Sequence, residues 1–327
     1  MAHHQSEDYN LSTALRQTST GFLLGWVFYV PMFALGIPAE VVVTVGSLNL
    51  IYQFWVHTEH IPKLGWYEWF FVTPSNHRVH HAQNSRYLDK NYGGLFILWD
   101  RLFGTFQEEL EDDPPIYGIR GAIKSFNPHK ALTHIYLDMA RDSWRARRWG
   151  DKCRVWWSRT GWRPAELAES DPREKPALES FQRFDPQVSQ WIKAYALFQF
   201  VMMVALLGIL QLGAADDRVD EIALVAVMFG SMVCSALWLD GQPKGVALQA
   251  DVCRLVAIAA WLFLAKPAFA VANVEALLLV YLVANTVFLA LLKWLPLPSW
   301  HAAQTVDDLS GPALRVQQSP HLPAHRD

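Results

Sequence analysis

Hydrophobic residues are concentrated in two parts of the chain. Long uncharged stretches lie near residues 19–56 and again from about residue 193 to residue 296, and a charged, tryptophan-rich segment separates them. A helix needs roughly 20 predominantly apolar residues to cross the hydrocarbon core of a bilayer. The pattern therefore predicts an all-α integral membrane protein with spans in both apolar stretches.

The first apolar stretch predicts a helical hairpin. Thr20–Gly36 and Ala39–Val56 are predicted to be two membrane spans, and Gly36-Ile37-Pro38 joins them. Because this connection is so short, we expect the pair to enter and leave the bilayer on the same side. Pro31 is expected to kink the first helix, since proline removes a backbone donor and clashes with the preceding turn.

The second apolar stretch predicts a four-helix membrane domain with these spans: Ala194–Leu212, Glu221–Leu239, Val246–Leu264 and Val274–Leu295. They are nearly free of ionisable residues, and Glu221 and Arg254 are expected to lie near span ends. Six spans would place both chain ends on one side. Basic residues are dense between the second and third spans, whereas the loop 214–220 is mostly acidic, so this long segment is predicted to face the cytosol.

Composition divides the chain into four segments. We expect a catalytic region at 1–111, a cytosolic arm at 112–190, the four-helix membrane domain at 191–300 and a disordered tail at 301–327. In the arm, residues 141–163 mix arginine and tryptophan. This mixture suits a helix lying in the headgroup layer of a membrane, or alternatively a solvated helix followed by a linker.

The composition and charge of the chain agree with a membrane protein and indicate no further class of partner. Hydrophobic residues make up 52% of the chain, the formal net charge is -3 and the pI is near 6.5, so nothing favours a nucleic-acid partner. Three cysteines, Cys153, Cys234 and Cys253, have neither metal-site nor disulfide spacing. The basic cluster of the arm is better explained by membrane topology and anionic lipid headgroups.

Histidines form the most informative pattern in the chain. In Asn76-His77-Arg78-Val79-His80-His81, the three histidines at positions i, i+3 and i+4 share one face of a helix. His57, together with His60 three residues later, is expected at the end of the second span, near the same membrane surface. Clustered neutral imidazoles suit a transition metal, although spacing alone does not choose between zinc, copper, nickel and iron.

The number of histidines favours two metals over one. His57, His77, His80 and His81 already supply the four ligands of a tetrahedral zinc site. The adjacent pair His3-His4 would exceed that number, although by pattern alone an accident near the start of the chain is equally plausible.

The segment from His3 to Leu11 resembles the end of the second histidine box of the fatty acid hydroxylase and sterol desaturase superfamily, closest to its alkylglycerol monooxygenase-like bacterial members. The resemblance covers roughly the first third of the chain and continues through further motifs: Gln53–Thr58, Thr73-Pro74-Ser75, the box His77–His81, Asp89–Gly94 and Trp99–Phe106. A histidine box followed by this downstream block is far more specific than H-x-x-H-H alone.

The resemblance implies a non-haem centre of two iron ions that uses O2 to hydroxylate or desaturate a lipid, or to cleave an ether lipid. The positions that match the family's ligands are His3, His4, His57, His77, His80 and His81. Electrons would come from tetrahydrobiopterin or from an external electron-transfer partner. His60 is a weaker candidate, expected beside the centre, and Asn84, Asp89 and Asn91 either orient the imidazoles or cap exposed turns.

The chain also departs from the family's pattern. That pattern has a first box, H-x-x-x-H, and a complete second box, H-x-x-H-H; the whole first box and the first histidine of the second box would precede Met1. Three ligands are therefore missing, and we expect the true start to lie upstream. Two alternatives follow: a catalytically silent membrane protein that binds a metal or partner through its histidines, and a zinc hydrolase with Glu59 as general base.

Overall fold

The computed structural model describes residues 3–17, 25–159, 161–173, 177–213, 217–269 and 271–294. Among them there is no β-strand, and only isolated bridges pair Phe71 with Phe96 and Ala82 with Tyr117. The α-helices are α1 (Leu11–Ala14), α2 (Val30–Ala34), α3 (Ala39–Trp55), α4 (Pro74–His81), α5 (Leu98–Phe103), α6 (Pro128–Arg145), α7 (Trp149–Arg154), α8 (Ala165–Ser170), α9 (Gln190–Gln211), α10 (Arg218–Leu239), α11 (Lys244–Ala260) and α12 (Val274–Trp294).

The four C-terminal helices confirm the predicted multi-pass membrane domain. Helices α9 and α10 have 22 residues each, α11 reaches 22 residues when its continuation to Ala265 is included, and α12 has 21. At 1.5 Å per residue these lengths match a hydrocarbon core of about 30 Å. The chain is therefore a multi-pass membrane protein.

The N-terminal hairpin of two membrane spans stays a prediction, because the helices long and apolar enough to span a membrane in the described residues are α9 to α12. Its first half also differs from the continuous helix that we expected. Helix α3 follows Pro38 and has 17 residues. The first predicted span begins on residues 18–24, which lie outside the described part, and continues as a 3₁₀ turn, Gly25–Phe28, and the short α2. Pro31 lies in the first turn of α2, so it begins a helix there and does not kink a longer one.

Two compact units divide the chain. One comprises Met1–Asp185 with Met228–Asp240, and the other comprises Pro186–Val227 with Gly241–Asp327. The four-segment division drawn from composition stays a prediction, and the tail predicted at 301–327 lies outside the described residues.

The arm of the first unit is tied together by ion pairs and exposes tryptophans. Arg163 donates to Asp142 of α6 at 2.9 Å, with both side chains buried. Trp144, Trp149 and Trp157 are 85%, 81% and 89% exposed. Exposed indoles among basic residues are consistent with the headgroup-layer interpretation, which stays a prediction.

The second unit contains a polar network that contradicts the expectation of nearly charge-free spans. Arg254 lies in the middle of α11, not near its end, and donates from Nη2 to Asp251 Oδ1 at 2.7 Å. The same guanidinium donates to Asn285 of α12 at 2.9 Å, and Tyr195 of α9 donates to Asp251 at 2.9 Å. A single Asp-x-x-Arg pair lowers the mean hydropathy of the helix so little that the apolar neighbours conceal it.

Candidate metal centre

Helix α4 is built to present histidines. Thr73 caps its N-terminus: the hydroxyl accepts from Asn76 N at 3.4 Å and the Asn76 side chain accepts from Thr73 N at 3.2 Å. Pro74 occupies the first turn, where no backbone donor is needed. His77 and His81 are buried, and His80 is partly buried. The spacing predicted this shared helix face.

His57 approaches α4 from the end of α3. This helix ends at Trp55, and the next residues turn so that His57 Nε2 lies 3.2 Å from His77 Nε2. The same turn leaves His60 exposed, and its backbone N–H donates to Thr58. Because the helix has already ended, the i and i+3 relation between His57 and His60 does not hold, and His60 stays outside the cluster.

The N-terminal pair completes the group of rings. His3 and His4 lie in a 3₁₀ turn, with ring centroids 5.0 and 4.2 Å from that of His81. The His4 ring is also 4.8 Å from the ring of His80. Six histidines, separated by up to 78 positions in sequence, therefore converge on one space.

Within this cluster, two sets of three histidines have the spacing of metal ligands. One set is His3, His4 and His81, and the other is His57, His77 and His81; in each set the candidate ligand atoms lie within 4.8 Å of one another. His81 belongs to both sets. Two adjoining sets with a common member suit a pair of metal ions better than a single tetrahedral ion.

Backbone carbonyls orient two of the imidazoles. Gln53 O lies 2.7 Å from His57 Nδ1, and Lys90 O lies 3.2 Å from His80 Nδ1. A carbonyl accepts only, so each Nδ1 carries the proton and each Nε2 is left with a lone pair for a metal.

Asn84, Asp89 and Asn91, for which ring orientation and the capping of turns were both open, make hydrogen bonds to other groups than the imidazoles. Asn91 donates to the carbonyls of Asn76 and Gln107, and Asn84 donates to Asp113. Asp89 accepts from Tyr92. The sequence could not show that backbone carbonyls orient the imidazoles, because every residue has a carbonyl group.

Unsatisfied buried nitrogens support the fit of a metal. His77 Nδ1 and His81 Nε2 are buried and have no hydrogen-bond partner in the described part of the chain. A buried polar atom without a partner is costly, and a metal would use such lone pairs. An all-imidazole donor set suits iron, although zinc and copper share this preference.

Burial keeps the cluster neutral. The pKa of His3 falls to about 3 and that of His4 to about 2, mainly through burial and then through nearby positive groups. Burial likewise lowers the pKa of His57 and His80, and takes the pKa of His77 and His81 well below the ordinary value. Neutral imidazoles are the form that binds metals.

These shifts predict acid sensitivity of the metal-free protein. A histidine in the unfolded chain takes up a proton below about pH 6.5, whereas the histidines of the folded cluster stay neutral. The unfolded state therefore binds more protons, and the free energy of unfolding decreases as the pH is lowered. Each histidine contributes up to about 1.4 kcal/mol per pH unit below that point. We expect the melting temperature of chelator-treated protein to change little above about pH 7 and to fall with increasing steepness as the pH is lowered below about 6.5. A flat profile would contradict the neutral cluster, and a His77→Gln variant should show a shallower slope.

Tyr9 is a neighbour of the cluster that sequence reasoning did not single out. Its hydroxyl donates to Val56 O at 2.8 Å, and its ring stacks on His57 with centroids 5.5 Å apart. Burial raises the pKa of Tyr9 well above its ordinary value, so the hydroxyl remains a donor. Tyr9 lies in the His3–Leu11 segment that carries the family resemblance, and this position was the signal by which the sequence could have indicated it.

Arg78 joins α4 to two loops. It makes a bidentate ion pair with Glu109 at 2.6 and 2.8 Å, and Nη1 donates to the carbonyls of Thr58 and Ile61. The Arg78 side chain is 8% exposed and that of Glu109 is 15% exposed. The Nη1 hydrogen bonds therefore hold the turn after His57 against the helix that carries the histidine box, and Glu109 neutralises the guanidinium.

We expect Arg78→Ala to lower the free energy of unfolding by roughly 3 kcal/mol, because it leaves a poorly solvated Glu109 carboxylate without its guanidinium. The matched control is Lys63→Ala, which removes a solvent-exposed pair with Glu108 and should cost less than about 1 kcal/mol. Thermal unfolding in detergent compares the two variants. Equal losses would contradict the structural role of Arg78.

A cavity of about 440 Å³ adjoins the histidines. Its lining includes His3, His77 and His80 together with the loop Tyr92–Phe96 and Trp99. The Asp100 carboxylate shapes this loop by accepting from the backbone N–H groups of Tyr92 at 2.7 Å and Gly93 at 2.8 Å.

Residues 1–105 match the fatty acid hydroxylase family. This part of the chain therefore belongs to that family of iron-dependent oxygenases, which confirms the resemblance seen in the motifs. Over about four fifths of its length the chain is similar to alkylglycerol monooxygenases. It is 36% identical to the Homo sapiens protein over 77% of this chain, and 35% identical to the Xenopus tropicalis protein over 81% of this chain.

The chain spans 57% and 58% of the lengths of these two relatives. It is also similar to the ornithine lipid hydroxylase OlsE of Rhizobium tropici, at 29% identity over 29% of this chain and 28% of that protein. No solved structure matches the chain.

Proposed function

We propose that this chain carries the metal centre of a membrane-bound di-iron oxygenase that oxidises a lipid C–H bond with O2. The observation that carries the proposal is the pair of three-histidine groups sharing His81, within a fatty acid hydroxylase region. Similar proteins are named alkylglycerol monooxygenase and ornithine lipid hydroxylase, so the proposed substrate is a lipid and the first class to test is alkyl ether lipids.

The proposed iron ligands are His3, His4, His57, His77, His80 and His81. Two irons would supply the activation of O2 and the oxidation of the unactivated C–H bond. Overall, one oxygen atom would enter the C–H bond as a hydroxyl group and the other would leave as water, with two electrons and two protons from a donor. That donor is either tetrahydrobiopterin or an electron-transfer protein.

The protein's own groups have three tasks in this proposal. Burial holds the imidazoles neutral, and the carbonyls of Gln53 and Lys90 fix their orientation. Tyr9 packs over His57 and limits the access of water to it. The cavity beside His77 and His80 receives the reacting part of the lipid. With an alkyl ether, hydroxylation beside the ether oxygen would form a hemiacetal that collapses and breaks the ether.

The proposed orientation places the centre at the cytosolic surface. Basic residues crowd the arm between α3 and α9, and such segments remain on the cytosolic side of a membrane. A cytosolic centre would be accessible to a soluble electron donor. Protease protection of the arm in sealed, oriented vesicles would test this placement.

Iron content with O2 consumption tests the proposal. The full chain is purified in mild detergent from iron-supplemented cells, and iron and zinc per chain are measured together with O2 uptake on adding an alkyl ether lipid and a reductant. We expect about two irons per chain and lipid-dependent uptake. Iron without uptake would favour the silent metal-binding alternative, zinc would favour a hydrolase, and absence of metal would contradict the proposed centre.

A further inference from the structure

The arm of the first unit buries small side chains and exposes its largest apolar ones. Ala146 and Val155 are 3% and 5% exposed, whereas the indoles of Trp144, Trp149 and Trp157 lie almost entirely outside. A module that works in water does the reverse, because burying an indole removes far more apolar surface from water than burying an alanine. The arrangement therefore indicates a partner for the three indoles.

The packing of the arm fixes the exposure of its apolar face. Asp142 of α6 is 2% exposed and accepts hydrogen bonds from Arg163 at 2.9 Å and from Arg173 at 3.1 Å. These bonds determine which face of α6 points inward. Leu137 and Trp144, at i and i+7, lie on the opposite face and are both exposed. Ion pairs of this kind argue against the flexible linker that the sequence left open.

Lys152 brings the indoles of α6 and α7 together. Its Nζ donates to the carbonyl of Trp144 at 2.7 Å and lies 5.7 Å from the centroid of the Trp149 ring. Beyond α7 the backbone makes a further helical turn. Trp149, Cys153 and Trp157, at i, i+4 and i+8, are all exposed and therefore share one outward face.

Positive charge surrounds these indoles. Residues 141–163 contain seven arginines and one lysine against two aspartates, although the whole chain has a net charge of -3. Arg147, Arg148 and Arg159 are exposed and form no ion pair with another residue that the structure describes. Indoles prefer the headgroup layer of a membrane, and guanidinium groups bind its phosphates. Because the chain spans a membrane, such a layer adjoins it, which favours lipid over an acidic protein as the partner.

We propose that the arm is a docking surface for anionic phospholipid. The indoles of Trp144, Trp149 and Trp157 lie among the headgroups, and Arg148 and Arg159 bind phosphate groups beside them. Neither the metal centre nor its substrate takes part in this contact. The contact strengthens as the share of anionic lipid in the leaflet rises.

A spin label on Cys153 tests the inference in the full chain. Cys153 is exposed between Trp149 and Trp157, whereas Cys234 is buried, and Cys253→Ala removes the other exposed thiol. The labelled protein is placed in nanodiscs of phosphatidylcholine, with or without phosphatidylglycerol. Collisions of the label with O2, which enters lipid, are compared with its collisions with a neutral, water-soluble nickel chelate. The ratio of the two rates reports whether the label lies in lipid or in water.

We expect this ratio to rise about three- to fivefold when phosphatidylglycerol makes up about a third of the lipid. Trp157→Ser should lose most of the rise, whereas Trp157→Phe should keep most of it, because phenylalanine is still apolar and aromatic. A double variant, Arg148→Gln with Arg159→Gln, should also lose most of the rise. Salt at about 1 M should do the same, because the Debye length falls to about 3 Å.

Trp66→Ser and Arg86→Gln are the matched controls, because these side chains are 74% and 60% exposed but lie outside the arm. Both variants should keep the rise. A ratio typical of water in both lipid mixtures would overturn the inference and would leave the arm to a soluble acidic partner. An equally high ratio in both mixtures would also overturn it, because the contact would then require no anionic headgroup.

Discussion

A His81→Gln variant should lose most of its bound iron and all lipid-dependent O2 uptake. His81 is the member common to both three-histidine groups, and its Nε2 is buried without a partner in the described residues. Loss of a group that merely supports a ligand typically costs 10- to 100-fold in metal affinity, so loss of a shared ligand should exceed about 100-fold. Glutamine retains polarity and approximate size but offers no imidazole nitrogen.

His60→Gln is the matched control for this prediction. His60 lies only three residues from His57, yet it is exposed and outside both groups. It should keep the iron content of the unmodified protein. Elemental analysis of the two variants, purified side by side, makes the comparison. Equal iron in both would remove His81 from the centre, and equal loss in both would point to general instability around the site.

The second large effect is expected in the membrane domain, where Arg254→Leu should lower stability by about 3–5 kcal/mol. Arg254 and Asp251 are 8% and 0% exposed, among apolar helices. The substitution removes the positive charge and leaves a carboxylate in surroundings that solvate it poorly. It also removes the donors that connect α11 to Tyr195 of α9 and to Asn285 of α12.

Thermal unfolding in detergent micelles measures this effect. A double variant, Arg254→Leu with Asp251→Leu, removes both charges and should be more stable than the single variant, because apolar replacement of a whole buried ion pair is often close to neutral. A single variant as stable as the unmodified protein would show that the network contributes little. A double variant less stable than the single one would show that its remaining hydrogen bonds dominate.

The membrane helices were predictable because their formation depends on local properties. Twenty apolar residues in sequence suffice to specify a span, whatever the neighbouring helices do. The helix that carries His77, His80 and His81 was predictable for a similar reason, since a helical period of 3.6 residues fixes which side chains share a face. The downstream motifs identified the family from the sequence alone.

Other features depended on where the chain turns. The helix α3 ends at Trp55, two residues before His57, so His60 is exposed and lies outside both three-histidine groups although its spacing suggested otherwise. The sequence left two roles open for Asn84, Asp89 and Asn91, orienting the rings or capping turns, whereas the groups that contact the Nδ1 atoms of His57 and His80 are the backbone carbonyls of Gln53 and Lys90. A pattern of residue types contains no information on which carbonyl faces a ring.

By itself the sequence determined the helical class, the four C-terminal spans, the family and the histidines worth testing, because each follows from local composition, periodicity or a contiguous motif. Only the tertiary structure decided that His3 and His4 meet the rings of α4, that His81 joins two groups, and that Arg254 and Asp251 lie buried among α9, α11 and α12. These relations join residues far apart in the chain. They arise from packing and from the satisfaction of buried polar groups, which no short stretch of sequence specifies.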